Sequence, residues 1–192
     1  MPLRLSSSTA ISGVGFVACF VVGAAVYGNG AGNAAPEITA YYTHESDRLR
    51  QILGFAFVLT AVLFFVVFVA GLRRALPAGV AADTILASGT GMAVLLAGAN
   101  ALWAATAFTV EFEPNYHIEP RTHLLLEDAG FVLFVSAAAF GIAFVAAAVL
   151  AHPFSRWFAW ASVPVLGALA AAYWYIPFFA FLAWVLVAGL LL

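Results

Sequence analysis

Within the stretch "YYTHESDRLRQ", residues 41 to 51, Tyr41, His44, Glu45 and Arg48 lie three and four positions apart. On a continuous helix that spacing places them on one face, a phenol, an imidazole, a carboxylate and a guanidinium in a single stripe that leads on to Ile52. A second stripe is spelled by Glu119, His123 and Glu127 at four-residue intervals, with Asp128 beside the last and His117 upstream. Imidazoles and carboxylates spaced in this way are suitable ligands for a divalent ion such as Zn or Cu, which needs three or four of them. If the two stripes converge, the candidate metal set is His44, Glu45, His117, His123 and Glu127. Iron enters by the same residues, as a haem near the surface held by His44 with His123 or His117. Tyr41, Arg48 and Asn100 are further candidate polar groups. The same residues also have a reading without a ligand: acids at helix N-termini complement the dipole, Arg and His cap the interface, and Tyr41, Tyr42 and Tyr116 join an aromatic belt.

Other chemistries have little to stand on. The chain contains no HExxH, CxxC, GxSxG or Gly-rich phosphate loop. Nothing therefore points to a hydrolase or NTPase, and the reading leans away from an enzyme. A net charge of −2, with all seven basic residues Arg, offers no basic surface for nucleic acid. The single cysteine, Cys19, sits in an apolar run and is expected to pack.

The elements that must position these residues are membrane helices. The 192 residues are 65% hydrophobic and 8% charged, far too apolar for a soluble domain. A crossing needs about 20 apolar residues, and six candidates occur, near 9–28, 52–72, 85–108, 129–151, 157–175 and 178–192. The last is short, and the turn "YWYIPFF" with Pro177 separates it from the fifth. The expected fold is thus an all-α, six-span transmembrane bundle in a single domain, with short inner and longer outer loops. None of the 16 charged residues falls within a span, which argues against an ion-coupled transporter. The polar residues at membrane depth are Thr60, Ser88, Thr90, Asn100, Thr106, Ser136 and Ser162. Asn100 is the costliest, and an interhelical hydrogen bond worth roughly 1 kcal/mol is its expected role. A carrier for a small neutral solute would instead line a cavity with Asn100, Thr90 and Ser136.

Orientation follows from the arginines. With the N-terminus inside, the inner segments carry Arg4, Arg73, Arg74 and Arg156 against Asp83, whereas the outer ones carry Arg48, Arg50 and Arg121 against eight acids. Both termini are then cytoplasmic and the protein sits in the plasma membrane. The first apolar run exceeds the length of a signal-peptide core, so an anchored helix is expected. Inside the outer loops, Asn33 is expected to cap a helix starting near Pro36, and Pro120 to open the fourth long helix. His152, beside Pro153, marks a helix end. Gly54-Phe55 and Gly130-Phe131 begin two spans alike, a hint of repeated hairpins.

The unit "YYTHESDRLRQILGFAFVLTAVLFFVVFVAGLRRAL" and the closing "WASVPVLGALA" resemble the uncharacterised multi-pass membrane proteins common in high-GC actinobacteria. That resemblance implies a six-helix membrane protein with no established activity. The leading expectation is a non-enzymatic accessory or oligomeric subunit whose partners are the lipid bilayer and other membrane subunits or further copies of itself. The alternatives are a protein or enzyme using Zn, Cu or Fe at the outer loops, and a pore for a small neutral solute.

Overall fold

The computed structural model describes residues 7–28, 30–113, 115–151, 156–171 and 178–191. Arg4, His152, Pro177 and the end of the expected fifth span lie outside them. The described residues form seven helices and no strand: α1 (Ser7–Tyr27), α2 (Ala35–Thr43), α3 (Glu45–Ala75), α4 (Val80–Phe112), α5 (Pro120–Leu150), α6 (Arg156–Ala170) and α7 (Phe178–Leu191). Four of them, α1, α3, α4 and α5, are long and apolar enough to cross a membrane, as expected of a membrane protein. At 1.5 Å per residue the described residues of α6 and α7 extend about 22 and 21 Å, against a hydrocarbon core of about 30 Å.

Local chemistry sets the boundaries. Gly28, with φ of +73°, ends α1 in the left-handed conformation that glycine adopts without strain. The N-cap of α2 is Ala34 rather than the expected Asn33; the Glu37 carboxylate accepts the Ala34 N–H at 3.4 Å. Pro120 opens α5, as its missing donor allows. The expected continuity from Tyr41 to Arg48 fails at His44, whose backbone is extended at φ −84° and ψ 117°. The stripe is therefore split between two helices that meet at an angle. Acids Glu45 and Asp47 in the first turn of α3, and Arg73 and Arg74 in its last, complement its dipole.

Neighbouring helices pack in the cyclic order α1, α3, α4, α5, α6, α7 and back to α1. Phenylalanines from four helices meet in the middle: Phe16 and Phe65 at 4.9 Å, Phe65 and Phe144 at 5.6 Å, and Phe181 within 5.8 Å of Phe65. All four are fully buried. Burial against lipid-like surroundings supplies little drive, so dispersion and ring geometry carry this core. Trp184 of α7 donates to the Ser162 hydroxyl of α6 at 2.7 Å, and Ser162 donates on to the Phe158 carbonyl. The short pair α6 and α7 thus has no unmet polar group at that contact. At the end remote from α2, Arg73 pairs with Asp83 at 2.9 Å across the α3–α4 turn.

Candidate functional site: a polar cluster under the cap helix

Helix α2 lies across the ends of α3, α4 and α5, held by a small apolar layer of Ala31, Ile38, Tyr42 and Ala107. Its last turn must turn back into α3, which the extended His44 achieves, and this drives Tyr42 inward until it is 0% exposed. A buried phenol needs partners. Its hydroxyl donates to Gln51 Oε1 at 3.1 Å and lies 3.4 Å from His123 Nδ1, and its ring meets the imidazole edge-on at 5.1 Å. Thr106 Oγ1 approaches the same nitrogen at 3.2 Å. One imidazole therefore ties together α2, α4 and α5, with Gln51 of α3 one bond further.

The other side of the ring is less settled. His123 is 4% exposed, yet its Nε2 has no hydrogen-bond partner among the described residues, and the half-exposed Glu127 carboxylate stands 3.8 Å away. With Thr106 assigned as the donor to Nδ1, the ring proton sits on Nε2, on the side of that carboxylate. The Tyr27 hydroxyl is a second buried group without such a partner, within electrostatic reach of Tyr42 and Glu127. Burial holds the Tyr42 hydroxyl far above the usual phenol range, and burial with Asp47 nearby raises Tyr41. Both remain neutral donors at any ordinary pH.

Arg48 fastens the cap from its rim. Its Nε donates to Glu111 of α4 at 2.9 Å, and its Nη1 to the carbonyls of Tyr42 and Thr43 at 2.8 and 3.2 Å. Those carbonyls are the orphan acceptors at the end of α2. Deeper, Asn100 donates to the Phe55 carbonyl at 3.1 Å, the interhelical bond expected of it, and the Trp103 indole donates to the Glu127 carbonyl at 3.2 Å.

The expected metal set does not assemble. Among the described residues no group of three or more His, Cys, Asp and Glu is close enough to hold an ion. The break at His44 leaves His44 and Glu45 exposed, and His117 is exposed in the loop before α5, whereas His123 turns inward. His123 and Glu127 remain adjacent, Arg48 joins them through Tyr42, and Tyr41 packs edge-on against the Tyr42 ring at 5.2 Å. Of the residues named for a carrier lining, Thr90 is exposed, Ser136 donates to its own helix at Val132, and Asn100 is bonded to Phe55. A hollow of about 370 Å³ beside the cap is lined by Arg121, Leu124, Leu125 and Asp128, a different face of α5 from His123. The functional groups missed in the sequence are Tyr42, Gln51 and Glu111. Tyr42 could have been found from its place four residues past Ile38, which sets the two on one apolar face of α2; Gln51 and Glu111 carry no such signal. No family model, no curated protein and no solved structure matches this chain.

Proposed function

We propose that this chain is a non-enzymatic integral membrane protein, an accessory or oligomeric subunit, with α2 as a rigid platform presented to a partner or to a second copy. The observation that carries the reading is how the polar residues of the cap end are used. Tyr42, Gln51, His123, Arg48 and Glu111 bond to one another and hold α2 down, while Glu37, Thr39, Ala40 and Thr43 stay exposed on its other face. In this proposal α6 and α7 complete six spans, both termini are cytoplasmic in the plasma membrane, and α2 faces outward. Kinship with the actinobacterial multi-pass proteins belongs to the same proposal.

Native mass spectrometry of the protein released from lipid nanodiscs tests association. A discrete dimer or higher species, or a defined complex, is expected; a monomer at every protein-to-lipid ratio overturns the subunit reading. Labelling with a membrane-impermeant maleimide tests orientation, with Thr39→Cys reacting in intact cells and Arg74→Cys only after lysis. The reverse pattern inverts the topology.

A second reading is favoured by one observation, the buried Nε2 of His123 beside the Glu127 carboxylate. These two are ligands of the type Zn, Cu or Fe takes once the ring proton moves to Nδ1 and Thr106 accepts it instead, and the remaining ligands would come from a partner or from water admitted beside Glu127. Elemental analysis of untagged protein beside His123→Ala decides it: near-stoichiometric metal lost in the variant supports the site, and none after reconstitution removes it.

A further inference from the structure

We infer that α1–α3 and α4–α5 are two tandem copies of one helical hairpin, offset by 76 residues, and that the cap end is where the copies have been specialised. The segment "SGVG" at residues 12–15 recurs as "SGTG" at 88–91, and Gly54-Phe55 recurs as Gly130-Phe131, all at that offset. Burial follows the same register. The buried residues of α1, Thr9, Ser12, Gly13, Phe16 and Gly23, fall on buried residues of α4 from Ile85 to Ala99. Each buried residue of α3 from Gly54 to Leu72 has a buried counterpart between Gly130 and Ala148 of α5.

Contacts agree in detail. A β-carbon on Gly13 would stand 3.2 Å from the Phe68 ring, and one on Gly89 would stand 3.2 Å from Phe144, the residue 76 positions beyond Phe68. Gly15 faces Phe64 as Gly91 faces Phe140. A β-carbon on Gly54 would stand 3.2 Å from the Gly23 carbonyl and 2.6 Å from Tyr27; on Gly130, 3.1 Å from the Ala99 carbonyl and 2.6 Å from Trp103. Thr60 donates to the Ala56 carbonyl, and Ser136 to that of Val132. Two unrelated hairpins packed by small residues need not share a register to the residue at both helices, nor the same ring against the same glycine.

At the cap end the correspondence stops. Tyr27 has Trp103 as its counterpart, Gln51 has Glu127, and Asp47 has His123. The first copy ends α1 at Tyr27 and inserts α2, whereas α4 runs on from Trp103 to Phe112. The second copy thus contributes the imidazole and the carboxylate, and the first contributes the helix that covers them.

Segment exchange in the full-length protein tests both halves of the inference. Residues 88–99 placed at 12–23 are expected to shift the detergent melting temperature by no more than about 8 °C, the scale of one core side-chain change in a chain of this size. Residues 86–97 at the same place, equally apolar but two positions out of register, are expected to give aggregated protein. In a Cys19→Ser background, the pairs Gly15→Cys with Phe64→Cys and Gly91→Cys with Phe140→Cys should both cross-link with a short bifunctional thiol reagent. Equal behaviour of the two chimeras, whether both fold or both fail, or cross-linking of one pair alone, overturns the duplication. Placing residues 123–127 at 47–51 should keep the bundle folded yet lower amide-exchange protection across residues 35–43 by about tenfold or more. Unchanged protection there overturns the specialisation.

Discussion

The hairpins α1–α3 and α4–α5 bury matching positions along most of their length and oppose a ring to a glycine at three matching pairs, but differ at the end covered by α2. The difference separates two kinds of constraint. Where an added methyl would meet a ring or a carbonyl, both hairpins keep glycine at three matching pairs, Gly13 and Gly89, Gly15 and Gly91, and Gly54 and Gly130. At the cap end the groups reach water or one another, and Gln51 and Glu127 occupy equivalent positions with different chemistry. Packing constrains the shared part, and hydrogen bonding distinguishes the other.

The largest effect should come from breaking what the hairpins share. Gly54→Leu and Gly130→Leu each force a side chain against a backbone carbonyl and an aromatic ring, and each should destabilise the fold by about 3 kcal/mol or more. Thermal unfolding in detergent should show losses of similar size in both; a strong loss in one alone breaks the comparison. Next comes the residue that differs. His123→Ala leaves the Thr106 hydroxyl and one side of Tyr42 unpaired in a buried setting, a cost of about 2–3 kcal/mol. Its counterpart Asp47→Ala should stay within about 0.5 kcal/mol, and equal losses would remove the assigned asymmetry.

Arg48→Ala removes the ion pair to Glu111 and both carbonyl bonds. Its expected cost is about 1–2 kcal/mol, read as faster amide exchange in α2 with little change in global melting. The smallest effect is a pH dependence. Folded Tyr42 and Tyr41 are raised above 10.0, so the folded state holds their protons more tightly than the unfolded chain. Their contribution is fully present below pH 10 and is lost as pH rises past it. Unfolding between pH 6 and 9 should therefore be insensitive to them, and the slope above pH 10 should diminish in Tyr42→Phe.

Much of the architecture was legible. The apolar runs anticipated the long helices, Pro120 its helix start, and Asn100 its interhelical bond. Of the likeness between the hairpins the sequence reading took only Gly-Phe twice; SGVG and SGTG recur at the same offset, but four residues in an apolar chain carry little weight until it is seen which positions are buried, and burial is a property of neighbours. The cluster under the cap was legible in part. His123 and Glu127 stood out by type and spacing, but the partner that holds His123, Tyr42, looked like one more interfacial tyrosine. The missed break at His44 had the widest consequence, since one extended residue moved His44 and Glu45 away from the stripe and turned Tyr42 in.

By itself the sequence determined the class of the protein: helices apolar enough for a membrane, with every charge placed toward their ends. That outcome follows from the cost of a charge or an unpaired backbone group in hydrocarbon, which each segment meets on its own. Only the tertiary structure decided that Tyr42 and His123, 81 positions apart, share a bond, that α7 inserts Phe181 among the rings of three other helices, and that the predicted metal ligands part company. Those outcomes depend on the angle at one break and on which glycine admits which ring, and neither is a property of any single segment.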